Sequence, residues 1–400
     1  MNITKSLKGI VALAVAGTFS ASAVAAPSNA EIYDMMQEMK QELKILKAEN
    51  NKLKGTVEDV AVSTDEAIKA QIKIANKSYW GGYGEIHGNW LEGDTAGTAD
   101  TDKIDFHRFV LFFGHEFRDD LRFFSELEVE HSIAGEGKVG EVELEQAYIQ
   151  YDYDDKTQFT GGLFLLPIGI MNETHEPATF YGTERNNVEA KIVPSTWWEG
   201  GVMVSKELKP GLNFDVALTS SLKGTDAKSY APRDGRQKVG NAKANNLGVT
   251  ARLKYTAIPG IELAATTHQV SDYCQDLVVG CGRGSLIETH GIFKKDKFQL
   301  KALYARWDIQ GHAVAAKGAD EQDGYYFEPS YRINDKVGIF ARYSMYDNTA
   351  NSGSDSEKKQ YDIGLNYWIH KNVVAKIDYQ DQDYVSGGGD GINIGLGYDF

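Results

Sequence analysis

The chain has 400 residues, 42% apolar and 11% aromatic, with 42 Lys and Arg against 57 Asp and Glu, for a formal net charge of −15. That balance excludes a nucleic-acid partner, which requires a basic patch to displace counterions. A mean hydropathy of −0.39 and a single long apolar run exclude a helical membrane protein, but not a membrane barrel, whose apolar residues occupy alternate positions.

Residues 1–26 read as a cleaved secretory signal. Lys5 and Lys8 give the positive start, Ile10 to Phe19 the apolar run, and Ala23-Val24-Ala25 the small-residue cleavage site. A membrane anchor is excluded by the short run and the lack of a charged stop behind it. Residues 27–78 form a coiled-coil segment and linker. Ile32, Met36, Met39, Leu43, Leu46, Asn50, Leu53, Val57 and Val60 recur at steps of four and three, a 3.5-residue seam with the polar Asn50 at an a position. About four heptads are marginal alone, so the reading is self-association rather than a helix lying on its own domain.

From residue 79 to 400 the period changes to two. Tyr361, Ile363, Leu365, Tyr367 and Ile369 alternate with polar neighbours or Gly, and Ile392, Ile394, Leu396, Tyr398 and Phe400 do the same. Sixteen such runs begin near residues 79, 102, 121, 140, 157, 195, 212, 245, 261, 285, 297, 323, 336, 358, 372 and 391. Each is about ten residues, the length of a tilted strand crossing a bilayer. Tight turns alternate with longer loops at 93–101, 132–139, 167–194, 223–244, 273–284, 310–322, 348–357 and 385–390. The fold class is therefore all-β, a 16-stranded antiparallel transmembrane barrel preceded by a short α-helical coiled coil. Sixteen strands leave an aqueous bore, and an even count puts both chain ends on the short-turn rim. The location is the bacterial outer membrane, in contact with its lipid, with the coiled coil in the periplasm. Trp80, Trp197, Trp198 and Tyr367 suit the two aromatic girdles.

If the apolar set faces lipid, the other set faces the bore. Glu126, Glu128, Glu130, Glu143 and Glu145 then make an acidic wall, with a bulge near Gln146. Inward cations on the far side are Arg252, Lys254, Lys301, Arg332, Arg342 and Lys376, mixed with acids; together the walls suggest a transverse field. The facing of Arg108 turns on a single bulge. Loop 167–194 carries Glu173, His175, Glu176, Tyr181, Glu184 and Arg185, and a loop so long and charged is usually functional. Folded inward, it sets a constriction. His175-Glu176 has no helical spacing or second His for a metal site. Cys274 and Cys281, in a polar segment of an exported chain, read as a loop-pinning disulfide rather than a redox or metal pair.

Phe106-His107-Arg108-Phe109, Phe113-Gly114-His115-Glu116-Phe117, Ser125 to Glu130, Thr174-His175-Glu176-Pro177 and Glu184-Arg185-Asn186 resemble the phosphate-selective porin O/P family. The chain is also similar to DcaP-like porins, which carry an N-terminal coiled coil. The resemblance implies a homotrimeric porin whose third long loop folds inward, with phosphate or other anions as solutes. Phosphate-selective members line the bore with arginine and lysine ladders, from which the acidic wall here departs. The expectation is a channel for passive diffusion of small hydrophilic, charged solutes, with no cofactor and no catalysis: no G-x-S-x-G elbow is present. The alternative is an envelope-tethering structural barrel with a closed lumen.

Overall fold

The computed structural model describes residues 37, 40–50, 52, 77–95, 97–276, 280–385 and 387–400. The chain divides into two compact units, Met1–Asn76 and Lys77–Phe400. In the first, residues 40–50 are helical and exposed, Leu43, Leu46 and Asn50 among them. No partner helix for them occurs among the described residues. The signal segment and the seam residues Met36, Met39 and Leu53 lie outside the described residues.

The second unit is a closed antiparallel barrel of sixteen strands in sequence order. They are β1 Ser78–Gly93, β2 Thr101–Arg118, β3 Leu121–Glu130, β4 Val142–Asp154, β5 Thr157–Leu165, β6 Trp198–Lys209, β7 Leu212–Thr219 and β8 Gly248–Tyr255. The ring continues through β9 Ile261–Val270, β10 Gly284–Lys295, β11 Phe298–Ile309, β12 Glu321–Arg332, β13 Val337–Asp347, β14 Lys358–His370, β15 Val373–Tyr384 and β16 Gly389–Asp399. Every strand begins within three residues of its expected position. Closure is made by β1 on β16, with Gly82 and Phe400 exchanging backbone hydrogen bonds at 3.0 and 2.9 Å. No sheet edge is left for lipid to meet.

The two-residue period sorts the faces. On β14, Tyr361, Ile363 and Tyr367 are exposed while Gln360, Asp362 and Asn366 are buried inside. Two of the girdle tryptophans depart from expectation. Trp80 and Tyr367 are exposed on the outer face, but Trp197 and Trp198 are buried. Trp197 ends the segment running from β5 to β6 rather than lying in a strand, so alternation does not govern it. Its ring lies 4.9 Å from His268 and 6.1 Å from Trp307. It belongs to an apolar core that fills one side of the barrel. Leu166, Ile168, Ile192 and Val193 of the same segment, with Leu222, Tyr230 and Tyr273, pack on Leu286, Trp307 and Tyr326 of β10–β12.

Candidate functional site: the lumen and its inward loop

Residues 166–197 cross the barrel interior. At the base, Asn172 Nδ2 donates to the carbonyls of Leu166 and Trp197 at 2.7 and 2.9 Å, and its Oδ1 accepts from Trp197 N at 2.6 Å. Gly169 sits at φ +73°, where a Cβ would meet the Glu189 carboxylate at 2.7 Å; only glycine fits that turn without strain. The turn presents the Ile170 and Met171 amides to Glu189 Oε2 at 2.9 and 2.6 Å, while Tyr326 of β12 donates to Oε1 at 2.7 Å. Asn186 caps the short helix Asn187–Lys191, accepting from Val188 N and Glu189 N.

From there the segment is bonded to strands around the ring. Arg108 of β2 donates to the His175 carbonyl at 2.6 Å, Asn366 of β14 to Phe180 O at 3.0 Å, and Lys376 of β15 to Gly182 O at 2.9 Å. Trp307 of β11 donates to Ile192 O at 2.9 Å. Thr183 N donates to Asp378 of β15 at 2.6 Å, and Asn89 of β1 donates to Glu184 at 2.9 Å. Tyr181 packs on Phe340 and Trp368. Glu173 pairs with Arg252, Arg185 donates to Thr196 at 2.7 Å, and the Glu176 carbonyl accepts from Thr179 N at 3.0 Å.

The five acids named for one wall sit together on the lumen side of β3 and β4. The β3–β4 register shifts between Glu126 and Leu127, opposite Gln146 and Leu144. Glu145 is thus the extra residue, so it and Gln146 both point inward. Glu128, Glu130, Glu143 and Glu145, with Glu141, line a cavity of about 550 Å³. Glu126 accepts from Tyr83 and Gln146 at 3.3 and 2.6 Å.

Of the six cations named for the far wall, none lines this cavity. Arg252 bonds Asp215 at 2.9 Å, and Arg342 bonds Asp362 at 2.9 Å and Glu328 at 3.3 Å. Lys301 stands 4.0 Å from Glu328. Arg332 stacks 3.4 Å over the Trp368 ring, and the Lys376 ammonium lies 3.5 Å from the Phe180 ring centroid. Lys254, with Arg252, lines a second cavity of about 720 Å³ beside the tight turns at Asp119-Asp120 and Asp154-Asp155.

The cations of the first cavity come instead from Lys103 on β2 and from two loops: Arg185 and Lys191 from residues 166–197, and Arg233, Arg236 and Lys238 from residues 220–247. Arg233 donates to Ser195 O at 2.7 Å and Arg236 to Thr196 O at 2.5 Å, which ties the second loop onto the first. Burial, then Arg236 and Arg185 nearby, presses the Arg233 guanidinium down to about 9. Burial and Arg233 likewise lower Lys191. In both, burial is the larger cause and the neighbouring guanidinia add to it. Lys238 pairs with Glu141 at 2.7 Å and with Glu143. Sequence reasoning passed over this cluster, although Arg233, Arg236 and Lys238 fall within six residues of an acidic chain. Arg108 faces inward, buried, because the β1–β2 register shifts at Glu85/His87.

Cys274 and Cys281 form a disulfide with Cα atoms 6.1 Å apart.

Comparison with known proteins places this geometry. A family model described as Gram-negative porin matches residues 208–387. The outer membrane channel DcaP of Acinetobacter baumannii superposes with a TM-score of 0.58 at 14% identity, covering 81% of this chain and 97% of that one. OmpF of Salmonella typhi gives 0.56 at 16% identity, over 81% and 98%. An uncharacterized protein of Aquifex aeolicus is 28% identical over 344 residues, 76% of this chain and 75% of its own. The fold is thus that of a sixteen-stranded, porin-like outer-membrane barrel.

Proposed function

We propose that the protein is a non-catalytic outer-membrane porin that passes small, hydrophilic, charged solutes down their gradients. The observation that carries this is the first cavity: six carboxylates (Glu128, Glu130, Glu141, Glu143, Glu145, Glu184) face six cations (Lys103, Arg185, Lys191, Arg233, Arg236, Lys238). Strand alternation supplies most of the acids and the inward loops most of the cations. The 166–197 loop is the constriction, and the field across it orients dipolar solutes. Balanced charge favours zwitterionic or dipolar solutes over inorganic phosphate, which a purely cationic ladder would suit. The active unit is a trimer, as the family resemblance implies, with the coiled coil on the periplasmic side.

The apolar core inside the lumen favours a second reading, a barrel closed by its own loops that serves to tether the envelope. Planar-bilayer recording under a KCl gradient separates the two. Stepwise conductance in threes, with a reversal potential near zero, is expected. A strongly anion-selective potential would restore phosphate, and absence of conductance would leave the closed barrel.

A further inference from the structure

His175 is buried in the loop, and its Nδ1 lies 3.2 Å from the Asn172 carbonyl. A carbonyl cannot donate, so Nδ1 carries the hydrogen of that bond. Nε2 then points at Glu126 Oε1 and Glu145 Oε2, each 3.6 Å away. Three ligand atoms, one from each residue, lie within 4.8 Å of one another. All three residues are at most 2% exposed, and both His175 Nε2 and Glu145 Oε2 lack a hydrogen-bond partner.

We propose that Glu126, Glu145 and His175 hold a divalent transition cation of the zinc class, clasping the 166–197 loop to the acidic wall. The spacing distinguishes this from a simple ion pair. A charge-assisted N–H to carboxylate bond draws its atoms to ~2.8 Å, whereas tetrahedral ligands ~2.1 Å from one metal stand about 3.4 Å apart. The second contact of the histidine fits as well: a metal-bound imidazole typically donates its other N–H to a carbonyl or carboxylate, which fixes ring orientation. Charge points the same way. Glu85 and Glu128 are buried beside the pair, and Arg108, the guanidinium among them, is bonded to Glu85 at 2.5 Å. Glu85 is served by Arg108 and by His87 at 3.1 Å, whereas Glu126 and Glu145 have His175 as their one ion-pair partner among the described residues, and buried charge is costly without a counterion. A mixed imidazole–carboxylate set suits zinc better than calcium or magnesium, which prefer all-oxygen cages.

The test is direct and independent of conduction. The folded, detergent-solubilised full chain is stripped with chelator, then titrated with Zn²⁺ by calorimetry and with Co²⁺ by absorption spectroscopy. The expected result is one ion per chain, with a cobalt ligand-field band of low coordination number. Glu145→Gln, nearly isosteric and suited to keeping the fold, is expected to weaken affinity about 100-fold, as is His175→Ala. His107→Ala/His131→Ala removes two members of a separate Asp105, His107 and His131 group and leaves that affinity unchanged. No stoichiometric ion on the wild-type chain overturns the proposal, as does affinity retained in folded Glu145→Gln or lost only in the His107/His131 variant.

Discussion

At the long-loop ends of β9 to β12 the lumen is filled by dry, apolar packing: Trp197, Trp307, Tyr273 and Leu286 meet there with the loops. Around β1 to β4 it is charged, with Glu128, Glu143, Glu145 and Arg108 buried among polar partners. Both halves are built on the same alternation, outward apolar and inward variable. The difference lies in what the loops bring: apolar residues at 166–170 and 192–197 against one half, and basic residues from 185–191 and 233–238 toward the other. Strands therefore supply the container, and loops divide it into a packed side and a polar side.

The dry half breaks most severely. Trp197→Ala empties the space beside Trp307 and His268 and removes the indole N–H that donates to Glu199 at 2.8 Å. A core Trp→Ala of this kind costs about 3–5 kcal/mol. The loss is expected in seating the loop, since the barrel ladder is untouched. Hydrogen exchange of residues 166–197 should rise sharply while strand amides stay protected, and unit conductance should rise. Uniform loss of protection across the strands would show that the core supports the barrel itself.

Next in size is the loop holding Cys274 and Cys281. With a sequence separation of 7, the ring is small, and the chain-entropy model assigns the bridge about 2.5 kcal/mol. Replacing both by Ser is expected to loosen residues 271–283, where Tyr273 OH donates to Tyr230 O at 3.2 Å. The barrel melting transition should hardly move. Exchange rates in that loop are the measurement, and a fall in the global melt would mean that the dry core depends on the bridge.

Strand number, strand starts and the disulfide were legible because each follows from local sequence: the period of two, the turn residues, the paired cysteines. Even the bulge showed, since Glu143 and Glu145 alternate one way and Ala147, Ile149 and Tyr151 the other. The cationic side of the cavity was not legible. The far-wall cations sit inward on their strands, but acids and loop carbonyls on neighbouring segments occupy them, as Asp362 does Arg342. The cavity cations come from loops, where no periodicity assigns a direction. His175 makes the same point. Its sequence neighbour Glu176 suggested nothing, while Glu126 and Glu145, far along the chain, face it.

The smallest effect, and the one that tests the polar half most closely, is a change of charge balance. Arg233→Gln/Arg236→Gln removes two of the six cavity cations yet keeps amide donors for the Ser195 and Thr196 carbonyls that the guanidinia now serve. Six acids then face four cations, and focusing in a narrow bore amplifies such an imbalance. The cation-to-anion permeability ratio is expected to rise about tenfold at low salt, equivalent to about 1.4 kcal/mol, and to shrink toward the wild-type value at 1 M salt as the Debye length falls to about 3 Å. Glu130→Gln/Glu141→Gln should move the ratio the opposite way. Reversal potentials read both shifts. Equal and opposite displacements would place the two charged faces on one permeation path, whereas a response to only one pair would put the other outside it.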